Sequence, residues 1–130
     1  LVVHGEDGLD EVSLSAPTLV AEVEGGRVKT YRLRPEDVGL SRRPPEAIQG
    51  GDAKENARIL RGVLSGEESP YLDVVLLNGG AALYASGKTL TLREGVELAR
   101  ETIAAGKALS LLEDFIRLTQ KLHEKGEVAS

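Results

Sequence analysis

Apolar positions along the chain follow two regimes. Up to Leu33 they alternate or run in short β-branched stretches, and from Ala53 onwards they recur at helical spacing. Leu1-Val2-Val3 is an apolar run that closes on His4-Gly5, which predicts a buried strand handing over to a loop. Val12 to Ser15 is mixed and stops at Ala16-Pro17. Thr18 to Val23 and Val28 to Leu33 then alternate, with Glu24-Gly25-Gly26-Arg27 between them. Strand-like runs joined through Gly-Gly predict a hairpin, because tight primed turns need positive φ. Glu22, Glu24, Arg27 and Lys29 are expected on its exposed side. Arg34-Pro35-Glu36-Asp37 predicts a turn or short helix with proline at a favoured early position. Ser41 to Gln49 carries Arg42-Arg43-Pro44-Pro45, which suits neither a continuous helix nor a central strand, so an ordered surface loop is expected.

The helical half begins at Asp52, a cap with Glu55 three residues on in a capping-box arrangement. Ala53, Ala57, Leu60, Val63 and Leu64 mark the expected buried stripe, and Gly66 the left-handed stop. Ser69-Pro70 opens a second helix, with Asp73 in its first turn at the positive end of the dipole. Leu72 to Ala85 is apolar nearly all round; its length and alanines favour one buried helix, packed closely through Gly79-Gly80, with Asn78 as a hydrogen-bonded interior polar group. Thr91 and Glu94 form another capping-box pair, opening a helix to about Ala105 that Gly106 ends. Its inward positions are Val96, Leu98 or Ala99, and Ile103. Lys107 to Leu122 predicts a last helix with Leu111, Leu112, Phe115, Leu118 and Leu122 inside. Lys121, His123 and Lys125 complement its C-terminal dipole, and Glu124 to Ser130 is expected to fray.

An α/β domain usually alternates strands and helices, because each crossover helix must lie on a sheet. Here strands cluster before Arg34 and four helices follow without strands of their own. The helices need more sheet than these residues provide, which predicts that the missing sheet belongs to sequence N-terminal to Leu1.

The 130 residues suffice for one domain of ordinary size, and 41% hydrophobic with 28% charged is a globular rather than a disordered composition. A net charge of −5 and no basic stripe with aromatics speak against nucleic acid. The absence of cysteine excludes disulfides and cysteine metal sites. No signal-peptide pattern or membrane-length apolar span is visible, so no membrane partner and a cytoplasmic location are the default expectation. Scarce Asn and Gln beside many Glu, Arg and Ala lean towards a thermophilic source.

The candidate chemistry lies in Val2 to Ser13, VVHGEDGLDEVS, where a flexible acidic loop presents the neighbouring carboxylates Asp10 and Glu11. Ligands of open α/β sheets bind outside the C-terminal ends of strands. Adjacent carboxylates there suit Mg²⁺, which takes one or two protein carboxylates and completes its shell with water and phosphate oxygens. The same pattern also suits a solvated acidic loop near a helix start. Ala82 to Thr89, ALYASGKT, imitates a phosphate-binding P-loop, but Leu83 and Tyr84 stand where glycines must let backbone amides wrap phosphate. Gly87 reads as a helix stop, Lys88 as a solvated charge, and His123 as a surface helix-end residue.

VVHGEDGLDEVS, RPEDVGL, GGDAKENARILRGVLSG, DVVLLNGGAALYASG and LREGVELARETIAAGKAL, in that order from residue 1 to about 113, together resemble the C-terminal part of anthranilate phosphoribosyltransferases. The resemblance implies the C-terminal part of a nucleoside phosphorylase/phosphoribosyltransferase-type α/β domain: a mostly parallel sheet with a β-hairpin, flanked by helices. Residues 1–130 would then be a partial catalytic domain, with strands and hairpin at 1–34 and helices at 52–123. An N-terminal helical domain and the first part of the α/β domain would be missing. The implied reaction, in tryptophan biosynthesis, moves phosphoribosyl from phosphoribosyl pyrophosphate to anthranilate. Asp10 and Glu11 match the family's carboxylates for Mg²⁺ on the pyrophosphate. The family's glycine-rich pyrophosphate loop, Lys-His-Gly-Asn segment and anthranilate-contacting arginine have no counterpart here, so the resemblance implies an inactive piece when isolated. Homodimerisation is expected through the helical domain. A pyrimidine nucleoside phosphorylase-like domain and a non-catalytic binding or scaffold module of the same fold are the alternatives.

Overall fold

The computed structural model describes residues 1–127, with side chains described through Glu124. Three strands, β1 (Val2–Gly5), β2 (Thr18–Glu24) and β3 (Arg27–Leu33), precede four helices: α1 (Ala53–Leu64), α2 (Pro70–Ala85), α3 (Leu92–Ala104) and α4 (Lys107–Glu127). Short 3-10 turns at Pro35–Val38 and Pro45–Ile48 bridge the two halves.

The sheet runs in the order β1-β2-β3, and both pairings are antiparallel, with Val3 opposite Val20 and Val20 opposite Tyr31. Gly25 and Gly26, at φ 55° and 77°, form the two-residue turn between β2 and β3 that the Gly-Gly signal predicts. The α/β class and the hairpin are as expected, whereas the described strands contribute no parallel pair. β1 is not buried as the apolar run suggests: Val2 is 69% exposed and only Gly5 is fully covered. Glu22 is also more than an exposed decoration, since it is half-buried and accepts a hydrogen bond from the Tyr84 hydroxyl.

α2 is the centre of the molecule. Leu72, Leu76, Leu77 and Ala81 are buried on it, against Val12, Leu14 and Val20 from the sheet half and Val96, Ala99 and Ile103 from α3. Being covered on several sides explains why it is apolar nearly all round. Ser69 accepts from the Leu72 N–H at 3.2 Å and caps its start. The α2–α3 approach requires glycine: a Cβ on Gly95 would lie 2.3 Å from the Gly80 carbonyl oxygen, and one on Gly80 2.6 Å from the Val96 nitrogen. The Thr91/Glu94 capping box closes in both directions and sets where α3 begins.

Two expected inner stripes are corrected. On α1, Ala53, Ala57 and Leu60 are exposed and only Val63 is buried, because only the last turn of the helix reaches the core. Asp52 caps α1 by accepting from the Glu55 N–H at 2.8 Å, but Glu55 turns to Arg58 instead of closing the box. On α4, Leu111, Phe115, Leu118 and Leu122 are 69, 60, 53 and 58% exposed. The half-buried face of that helix is instead Leu109, Leu112 and Ile116. α4 is helical to Glu127, and residues 128–130 of the segment expected to fray lie outside the described residues. So does the Lys125 side chain.

Candidate metal-binding loop

The loop from Glu6 to Val12 is built around a close approach. Gly5 donates to the Leu9 carbonyl at 2.8 Å, Gly8 donates back to the Gly5 carbonyl at 2.9 Å, and Glu6 donates to the Pro17 carbonyl at 2.9 Å. A Cβ on Gly5 would meet Asp7 Oδ1 at 2.5 Å, and Gly8 turns the chain at φ 98°. Glycine at both positions therefore follows from the geometry of the turn.

The four carboxylates of this segment divide by what each already holds. Glu6 pairs with Arg32 at 2.6 Å. Asp7 accepts the Leu9 N–H at 3.3 Å and the Ser13 hydroxyl at 2.5 Å, and Ser13 Oγ in turn accepts from the Ser15 and Ala16 amides. Asp10 and Glu11 are exposed, and neither has a hydrogen-bond or ion-pair partner among the described residues.

Immediately after them the chain is locked. Val12 is 2% exposed, and both its backbone polar groups are taken by the Asn78 amide of α2. Asn78 Oδ1 accepts the Val12 N–H at 2.9 Å, and Nδ2 donates to the Val12 carbonyl at 3.0 Å. The next residue, Ser13, is fully buried and donates its N–H to Thr18 Oγ1 at 2.8 Å. Asn78 is thus hydrogen-bonded inside the fold, as its sequence context predicts; its partner, 66 residues away in sequence, is not legible there.

Glu11 faces an open groove of about 500 Å³, lined also by Asp7, Leu9, Ser15, Pro45, Glu46, Ile48 and Gln49. Another wall is the Pro45–Ile48 turn, held by the Arg43 backbone N–H donating to the Leu14 carbonyl at 3.1 Å and by the Tyr71 hydroxyl donating to the Gln49 carbonyl at 2.9 Å. The paired arginines before this turn are both engaged: Arg42 lies 3.4 Å from Glu36, and Arg43 lies 3.3 Å from the buried Asp73. Lys88 is exposed beyond the Gly87 stop, and His123 lies on α4, outside this groove.

No cluster of three or more His, Asp or Glu residues placed to hold a metal occurs among the described residues. Glu11 lines the groove and Asp10 does not; as free, exposed carboxylates neighbouring in sequence, they are hard oxygen donors of the kind Mg²⁺ takes one or two at a time, with water and a phosphate-bearing ligand completing its shell. The donor set fits Mg²⁺ in that mode.

Residues 1–109 match the family model described as glycosyl transferase family, a/b domain. The chain is 54% identical over 127 residues to the anthranilate phosphoribosyltransferase of Rubrobacter xylanophilus, a match spanning 97% of this chain and 37% of that protein. Among solved structures, the anthranilate phosphoribosyltransferase of Thermus thermophilus aligns with a TM-score of 0.80 at 50% identity, covering 89% of this chain and 34% of that one. The Saccharomyces cerevisiae enzyme in complex with PRPP and Mg also aligns at 0.80, with 36% identity over 88% of this chain and 33% of that one. The chain thus spans about a third of the length of these relatives.

Proposed function

The chain belongs to the glycosyl transferase family whose α/β domain matches its residues 1–109, and from that membership we propose that it forms the Mg²⁺-binding wall of an anthranilate phosphoribosyltransferase site. The observation that carries this reading is the free carboxylate pair, Asp10 and Glu11, set directly beside the clamped Val12. In the proposed reaction the bond between ribose C1 and a pyrophosphate oxygen breaks, and pyrophosphate leaves with the electron pair. The anthranilate amine forms the new C1–N bond and loses a proton. Mg²⁺, when bound, offsets charge on the leaving pyrophosphate. Asp10 and Glu11 would hold it through hard oxygen donors, while Asp7 keeps the loop in shape through Ser13. The groups that position ribose and amine belong, in this reading, to the part of the relatives that this chain does not span, a helical domain and the first part of the α/β domain. The 130 residues alone then form no phosphoribosylanthranilate. The whole protein is read as a homodimer joined through that helical domain, working in the cytoplasm on phosphoribosyl pyrophosphate in tryptophan biosynthesis in a thermophile. No described helix is long and apolar enough to cross a membrane.

The test is made in a polypeptide of the relatives' full length that carries this chain. Asp10→Asn and Glu11→Gln keep shape and remove charge, and each lowers turnover by about a hundredfold, the usual scale for losing transition-state charge stabilisation of ~3 kcal/mol. Both raise the Mg²⁺ requirement with little change in melting temperature. Glu6→Gln, whose exposed pair with Arg32 contributes little, is nearly silent. Near-normal rates for both loop variants at limiting Mg²⁺ would sink the assignment, and an equally damaging Glu6→Gln would replace it with general loop acidity.

A further inference from the structure

Asn78 stands in the middle of the most apolar helix of the molecule, yet its amide is fully used. Oδ1 accepts from Val12, and the two Nδ2 hydrogens go to the Val12 and Val74 carbonyls at 3.0 and 3.1 Å. Asparagine is a poorer helix former than alanine or leucine, so this position is not explained by the helix itself. What it does is copy a strand partner: it satisfies both backbone groups of one residue that no strand reaches. That residue is the first one after the free carboxylates. On the other side, Leu9 is held by the Gly5 N–H at 2.8 Å. Asp10 and Glu11 are therefore a two-residue span between fixed points. The outer point is set by α2, whose own place depends on the Gly80–Gly95 contact with α3.

We propose that Asn78 is a positioning residue for a divalent cation held by Asp10 and Glu11, acting through the Val12 backbone; this rests on the metal reading above. Metal carboxylates depend on the groups that orient them, and loss of such a support typically weakens metal binding about tenfold or more. Without the clamp, the buried Val12 N–H and carbonyl lose their partners, and the cost of leaving them unsatisfied drives the segment to rearrange.

The measurement is Mn²⁺ binding to the polypeptide of the relatives' full length that carries this chain, read as the loss of the free-ion signal in electron paramagnetic resonance, with no enzyme turnover involved. Asn78→Ala and Asn78→Leu are each expected to raise the Mn²⁺ dissociation constant about tenfold. Asp10→Asn raises it as well, and Asp10→Asn with Asn78→Ala raises it by less than the product of the two single effects, because both act on one site. Tyr84→Phe, on the same helix but remote from the loop, leaves it unchanged. A purely structural role predicts a lower melting temperature for Asn78→Leu with the dissociation constant untouched; that result, beside a weakened Asp10→Asn, overturns the proposal and spares the metal reading. An unaffected Asp10→Asn overturns both. Should the larger changes unfold the chain, Asn78→Ser supplies the same comparison, since it shortens the side chain out of reach of Val12.

Discussion

At the scale of single residues, what separates one acidic or phenolic group from another is the partner it already has. Tyr84 and Tyr31 illustrate this away from the loop. The Tyr84 phenol is pushed up first by its hydrogen bond to Glu22, and Tyr31 is pushed up first by burial and then by the same carboxylate. A phenol with a raised folded-state value contributes stability that is complete below the unfolded value near 10 and is lost as pH climbs through the folded value. Melting temperature is accordingly expected to fall above about pH 10, and Tyr31→Phe and Tyr84→Phe to flatten that fall; a wild-type slope unchanged in both variants would contradict the shared-carboxylate cluster. Much at this scale is legible in the sequence. The exposure of Asp10 and Glu11 follows from a glycine-containing acidic segment after an apolar run. The Asn78–Val12 clamp does not, since a lone Asn in an apolar helix announces a partner without naming it. Glu22 escapes a sequence reading because the residue that covers it, Tyr84, comes from a helix 62 positions away.

At the scale of elements, helix starts are the most legible feature, because caps are local chemistry. Asp52, Ser69 and Thr91 each cap as their sequence context indicates. Which face a helix buries is not local, and the stripe of α4 shows the difference: heptad-like spacing of Leu111, Phe115, Leu118 and Leu122 marks an apolar face without saying what lies against it. The two glycines of α2 make a sharper case. Sequence alone treats Gly79 and Gly80 alike, but a Cβ on Gly79 meets only Ala99 Cβ at 3.9 Å, whereas on Gly80 it collides with the Val96 backbone. Gly79→Ala should therefore be neutral or stabilise by up to about 1 kcal/mol through helix propensity. Gly80→Ala should destabilise by about 3 kcal/mol as backbone gives way to backbone, with Gly95→Ala behaving alike. Urea unfolding of the three variants decides the matter, and equal effects at 79 and 80 would mean that the α2–α3 crossing is wrongly placed.

At the scale of the whole molecule, the arrangement leaves more surface than its mass requires. The accessible area is 8491 Å² for 13.8 kDa, against about 6,600 Å² for a compact monomer of that size. Apolar side chains contribute to the excess: Leu60 of α1 and the outer stripe of α4 face solvent, with Arg61 and Glu113 pairing between the two helices. Clustered exposure of this kind makes a folded chain adhesive, because each such side chain gains on the order of 1–2 kcal/mol when water is removed from it. In dilute buffer the 130-residue chain is expected to bind a hydrophobic dye such as ANS and to self-associate with rising concentration. Replacing Leu111 and Phe115 together by glutamate, on the exposed face of α4, should reduce both effects while leaving the helical signal intact. Mass-resolved chromatography and dye fluorescence on the same samples give the answer. A monodisperse wild-type monomer with sharp, cooperative unfolding and no dye binding would show that the stripe is covered within the chain itself, and that the excess area reflects only the outward reach of α4.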